Sequence, residues 1–250
     1  MPSKIEIAFR RKVRAVWLDQ GMALAAGNLP WQDAKPALAG AIAEENPGAE
    51  TIRKVLEHVR RIWFEPPTGC ERLHADALEL YRSRNSAEVR FLLNWGMTVA
   101  AYPFVGSVAE ALGRLLKLQQ QAHRADIQRR LREQHGDRDF VSRITRYDVS
   151  SFLDWGVILE ARTRSAIYTA GTTISLKNPG QIAWLAEAVL ISRRENQMAL
   201  SHLTNHPVLF PITLQNVSAA ALRTNPRIHI GRQSLNEEVV SLHSGPSAAT

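Results

Sequence analysis

What most constrains this chain is its punctuation: strong turn signals cut it into segments suited only to packed helices and small strands. Asn28-Leu29-Pro30, Asn46-Pro47-Gly48 and Pro66-Pro67-Thr68-Gly69 follow one another in the first third. Proline lacks an amide donor and glycine favours turn conformations, so such clusters end helices. Between them apolar residues recur at three- and four-residue spacing, the helical period. This spacing predicts helices over residues 5–24, 31–44, 49–64, 71–83 and 87–101. The clearest is 49–64, where Ile52, Val55, Leu56, Val59, Ile62 and Trp63 form one wide stripe. Ser107 suits an N-cap, which predicts a further helix over 108–122. Trp17, Trp63, Trp95, Trp155 and Trp184 sit within apolar stripes and are expected in the core, whereas Trp31, beside Pro30, is a candidate interface residue.

The character changes after Asp126. Residues 126–134 read as a short basic helix, His135-Gly136-Asp137 as a tight turn, and 138–155 as a second helix ended by Gly156. Val157-Ile158-Leu159 then forms a short apolar run, Ala161 to Ser165 a polar basic tip, and 166–176 a β-prone stretch. Helix, turn, helix, glycine, strand, basic tip, strand is the order of a winged helix-turn-helix. Asn178-Pro179-Gly180 breaks away from it. Beyond lie an expected helix at 181–201, a mixed stretch at 208–221, and a hairpin at 227–242 turning at 234–236. No internal repeat is visible. The expected fold is therefore mainly α: a helical domain at 1–122, a central winged helix-turn-helix with a short β-hairpin wing at 123–178, and a helix plus small β-hairpin module at 179–243. Residues 244–250 form an expected disordered tail.

Charge falls on the same segment. The chain of 250 residues carries a formal net charge of +7, which favours polyanionic partners. Between residues 114 and 146 there are nine cations and four acids, so most of the excess lies on or beside the proposed reader. A recognition helix presents side chains to base edges in the major groove while flanking cations hold phosphates. Phe140, Ile144, Phe152 and Trp155 would form the core side of helix 138–155. Arg138, Ser142, Arg143, Arg146 and Tyr147 would face DNA, with Arg129 and Arg130 on the preceding helix and Arg162 and Arg164 at the wing tip. Asp139, Asp148 and Asp154 share that helix and would repel phosphate if they shared its face. The basic N-terminus, Lys4 to Arg14, reads by default as a solvated face, with a second polyanion contact or a membrane-surface helix as alternatives.

Other function classes lack signatures. The chain has no phosphate-binding glycine loop, dinucleotide fingerprint or nucleophile elbow, so no enzyme, catalytic residue or cofactor is expected. His202 and His206 share a helical face but have no third ligand, so helix-terminal histidines, rather than a metal site, are expected. Cys70 and His74 carry the same spacing with the same incidental reading. One cysteine precludes an internal disulfide and fits a reducing, cytoplasmic setting. No secretory h-region is present, and no apolar run reaches the roughly 20 residues of a membrane span.

The run Thr145-Arg-Tyr-Asp-Val-Ser-Ser-Phe-Leu-Asp-Trp-Gly-Val-Ile-Leu-Glu160 resembles the end of a recognition helix and first wing strand of winged-helix regulators. Over about the first 170 residues, the layout resembles the BrxA family of the BREX phage-defence systems. It comprises a basic N-terminal helix, the stretch ending Glu44-Glu45-Asn46, the Ile52 to Trp63 helix and a later helix-turn-helix. The resemblance implies a helical, non-enzymatic, double-stranded-DNA-binding component of antiviral defence. Fold does not dictate function. A protein-protein docking subunit of a defence or regulatory complex, and an RNA-binding protein, therefore stay open beside the DNA reading.

Overall fold

In a computed structural model the described residues are 8–136, 139–193, 197–234 and 237–243. Five helices come first: α1 (Ala15–Ala26), α2 (Trp31–Ala43), α3 (Ala49–Trp63), α4 (Glu71–Ser83) and α5 (Ala87–Ala101). Then follow α6 (Pro103–Gln119), β1 (Ala122–His123), α7 (Arg124–His135), α8 (Asp139–Asp154), β2 (Ile158–Glu160), β3 (Ile167–Ala170) and β4 (Ile174–Leu176). The remainder is α9 (Pro179–Arg193), β5 (Gln197–Ala199), α10 (Leu200–Thr204), β6 (Ile212–Leu214), α11 (Ala219–Leu222), β7 (Ile228–Ser234) and β8 (Glu237–Leu242). The fold is mainly α with small strand pairings, as the periodicity predicts.

α3 shows how the pattern becomes packing. Val55, Leu56, Val59, Ile62 and Trp63 are buried on one side. On the other, Arg53 and Lys54 pair with Glu50, and Arg53 with Glu57, at three- and four-residue spacing. α5 lies deepest, with Leu92 through Ala101 all buried. It crosses α9 at Gly96, where a Cβ would run into the Trp184 ring. The Trp184 indole donates to the Leu73 carbonyl at 2.9 Å. α5 and α6 meet at 115°, and no single described helix is long and apolar enough to cross a membrane.

Several expected boundaries move, each for a local reason. The helix expected at 5–24 begins only at Ala15. Before it and at its first residue, the Arg10, Val13 and Ala15 amides donate to the His58 imidazole, the Ser151 hydroxyl and the Asp154 carboxylate. With its donors answered by distant side chains, this arm has no need of helical hydrogen bonds. Ser107 is not an N-cap: α6 starts at Pro103, whose missing amide suits a first helical position, and Ser107 bonds back to the Pro103 carbonyl. α6 ends at Gln119, and Ala122 belongs to a strand. Of the helix expected at 181–201, α9 covers residues to Arg193, 194–196 lie outside the described residues, and Gln197–Ala199 is a strand.

α6, β1, α7, α8, β2 and β3 form one helix-and-strand unit. Its antiparallel sheet has the order β1-β3-β2, with Ala122 opposite Tyr168 and Ile158 opposite Ala170. Gly136 and Gly156, at φ +90° and +70°, take left-handed turns that non-glycine residues adopt poorly. The β-prone stretch at 166–176 is divided at Gly171, where the Gly171 amide donates to Val157 and that of Thr172 to Gly156. A Cβ at Gly171 would strike the Gly156 carbonyl.

The C-terminal region repeats this order. α9, β5, two short helices, β7 and β8 follow one another, and the sheet order β5-β8-β7 reproduces β1-β3-β2. Its middle helices are reduced to five and four residues, with a 3-10 turn (Pro207–Leu209) and β6 between them. β6 pairs in parallel with β4, joining the two units. The buried Glu187 on α9 accepts from Arg227 and Asn225, and Arg227 also pairs with Asp76 on α4.

Candidate nucleic-acid interface

α8 owes its orientation to a split between buried and exposed positions. Val141, Ile144, Thr145, Asp148, Val149, Ser151 and Phe152 point inward. Asp139, Arg143 and Arg146 are exposed, while Ser142, Tyr147 and Ser150 are half-buried. Arg143 and Arg146, one turn apart, have no ion-pair partner among the described residues. The Arg143 guanidinium lies 5.6 Å from the centre of the Phe140 ring, which supports the side chain without neutralising it.

Two of the three aspartates on this helix are withdrawn from its exposed face. Asp148 is fully buried and faces the N-terminal arm, where the Phe9 backbone amide is the group that favours its ionised form. Neither carboxylate oxygen has a hydrogen-bond partner of normal geometry among the described residues. Burial pushes its carboxyl well above the ordinary carboxylate range. Asp154 accepts from Arg14 at 2.9 Å and the Ala15 amide at 3.1 Å, and pairs with Lys12 at 3.0 Å. Asp139 alone remains exposed, in the first turn.

The arm brings its own cations to α8. Arg11 donates to the Tyr147 hydroxyl at 3.4 Å and to Thr51 at 3.1 Å. Tyr147 is therefore partly covered by Arg11. The Arg10 side chain is exposed beside it in sequence. His58, which receives the Arg10 amide on Nε2, donates from Nδ1 to Tyr102 at 2.9 Å. Burial, reinforced by Arg10, holds its pKa down at about 3, so the ring is neutral.

The β2–β3 hairpin, the expected wing, follows the C-terminal end of α8. Arg162 and Arg164 are exposed in the tip between β2 and β3, and neither side chain has an ion-pair partner among the described residues. Glu160 accepts the Ala166 amide at 2.9 Å, and Ser165 accepts the Arg162 amide at 3.3 Å. These bonds give the tip a defined shape, with Arg164 and Ala166 at positive φ.

Other expected residues fall elsewhere. Arg138 lies outside the described residues, as does the tail at 244–250. Arg129 pairs with Asp126 at 3.2 Å. Arg130 turns toward α6 and lines a cleft with Arg114 and Arg193, whereas Gln128 is the α7 residue that reaches α8, donating to the Ser142 carbonyl. Trp31 is half-buried, packing on Phe64 with ring centres 5.1 Å apart beside Arg60. Trp17, Trp63, Trp95 and Trp184 are buried, and Trp155 half-buried. His206 is buried and accepts the Val208 amide, and His74 bonds the Trp63 carbonyl. Cys70 is buried, its thiol pushed up to about 11 by desolvation. Sequence reasoning missed Arg11 as a neighbour of Tyr147. Its basic cluster was visible, but the helical spacing assigned it to another conformation.

Among known proteins, no family model matches this chain, and no curated protein or solved structure matches it at a significant level.

Proposed function

We propose that the protein is a non-enzymatic DNA-binding protein that places α8 in the major groove and holds flanking phosphates with its wing. One observation carries the proposal: Arg143 and Arg146 stand exposed without acidic partners among the described residues, while Asp148 and Asp154 are taken up by the N-terminal arm. Arginine makes bidentate contacts with guanine and phosphate, so two unpaired arginines on such a helix suit both readout and grip. Arg162 and Arg164 add a second cluster where wings meet phosphate or the minor groove. Arg11 and Tyr147 border the same helix face.

The test is a fluorescence-anisotropy titration of a labelled duplex across salt. If about four phosphates are neutralised, the logarithm of affinity falls with that of salt at a slope near −3.6, or about 150-fold between about 50 and 200 mM. Absence of binding at low salt overturns the proposal. Preference for single-stranded or duplex RNA in competition would favour the RNA-binding reading. Membership of a bacterial defence complex rests on the layout resemblance to the BrxA family. Co-purification of partners that survives nuclease and high salt would support it.

A further inference from the structure

Arg130 sits on α7 of the helix-turn-helix yet faces away from α8. It lines a cleft of about 360 Å3 between α6, α7 and α9, within the roughly 300–1,000 Å3 of small-molecule sites. Arg114 from α6, Arg130 from α7 and Arg193 from α9 all reach it, together with Ser107, Glu110 and Glu133. Glu110 is buried, pairs with Arg114 one turn away and accepts from Arg193 at 2.5 Å. That shared carboxylate offsets part of the charge and fixes two guanidinium groups at the cleft wall. Among the described residues, Arg130 has no such carboxylate. Its Nε is buried and has no hydrogen-bond partner among the described residues, and a buried donor left unmade is costly. Among the described residues of the lining, three guanidinium groups stand against two carboxylates.

We infer that this cleft is a binding site for a phosphate-type oxyanion, separate from the α8 surface. The three arginines come from three different helices, so they approach a ligand from three directions. That arrangement suits a tetrahedral anion better than a planar carboxylate, and guanidinium forks match phosphate oxygens. The cleft is roomier than one orthophosphate requires and accommodates a phosphoryl group carried on a larger molecule. An occupant would tie α7 to α9, linking the winged unit to the helix that opens the C-terminal unit.

The test follows the Arg130 side-chain Nε–H resonance of the full chain by NMR. Orthophosphate and ATP are titrated separately against chloride of equal ionic strength, with calorimetry on wild type, Arg130→Gln and Arg143→Ala/Arg146→Ala. The expected result is a saturable shift of Arg130 with phosphate and none with chloride. Arg130→Gln should weaken binding at least tenfold, and the α8 double variant should bind phosphate as wild type. Tighter binding of ATP than of orthophosphate identifies a nucleotide phosphoryl group as the source, and the reverse identifies the free ion. Arg130→Gln should leave duplex-DNA affinity unchanged, so failure of the DNA reading does not touch this one. If neither probe shifts Arg130 saturably, or Arg130→Gln binds both as wild type, the inference is overturned. A tenfold loss of DNA affinity in Arg130→Gln overturns the claim that the cleft is separate from the DNA surface.

Discussion

Replacing Asp154 with alanine tests how the N-terminal arm is held on α8. The carboxylate accepts the Ala15 amide at 3.1 Å, answering the first backbone donor of α1 in the manner of a cap supplied from another helix. Loss of a helix cap costs about 1 kcal/mol. The same carboxylate accepts from Arg14 at 2.9 Å, but the Arg14 side chain is 35% exposed. Solvent screening therefore limits that pair to about 0.5–1 kcal/mol. Lys12, 44% exposed, adds close to nothing by the same reasoning. The sum is about 1.5–2 kcal/mol, or roughly 3–4 °C in Tm for a chain of this size. Urea unfolding and calorimetry read the stability, and amide exchange at Val13 and Ala15 reads the arm. Asp154→Asn keeps an acceptor for Ala15 and should lose less than half as much. A change below about 0.5 kcal/mol in Asp154→Ala, with amide protection intact, would refute the proposed role of Asp154.

Three further outcomes follow from buried groups and one close approach. His58 has its pKa lowered to about 3 from an ordinary 6.5, so the unfolded chain takes up a proton that the folded chain refuses. Its contribution is present above pH 6.5 and is lost as pH falls, by about 2 kcal/mol between pH 7 and 5. The imidazole should show no NMR titration between about pH 8 and 4.5. Asp148 acts with the opposite sign: its raised pKa gives stability at low pH that is lost as pH rises through the folded value. Asp148→Asn should therefore be more stable than wild type at pH 7. It should also expose the full His58 dependence, which urea unfolding at both pH values measures. Gly171→Ala should cost about 1–3 kcal/mol by forcing the wing base away from Gly156. Gly48→Ala, with open space around it, should change stability by less than about 0.5 kcal/mol by the same assay.

Legibility in the sequence tracked how local the deciding interactions are. Helix 49–64 carries its answer in its own stripe, and the α7–α8–wing order is marked by Gly136 and Gly156, whose left-handed turns are set within a few residues. The arm was illegible because Phe9 and Val13 suit a helical stripe and are equally buried when extended. What decides between the two is His58, Ser151 and Asp154, more than 40 residues away. The repeated topology after Pro179 was hidden for a related reason. Its middle helices shrink to five and four residues, too short for a period to register. At the candidate interface, the exposed arginines of α8 and the wing could be named from spacing. The fates of Asp148, Asp154 and Arg130 could not, since each depends on what a distant element brings beside it.

The most direct test of DNA binding through α8 compares the salt slope of wild type with that of Arg143→Ala/Arg146→Ala. Lys35→Ala/Arg84→Ala, which removes two exposed cations from the helical region, serves as the charge-matched control. The expected result is a slope near −3.6 for wild type and control and about −1.8 for the α8 variant, which loses two phosphate contacts. Identical slopes and affinities for all three proteins would contradict a role for α8 in holding DNA.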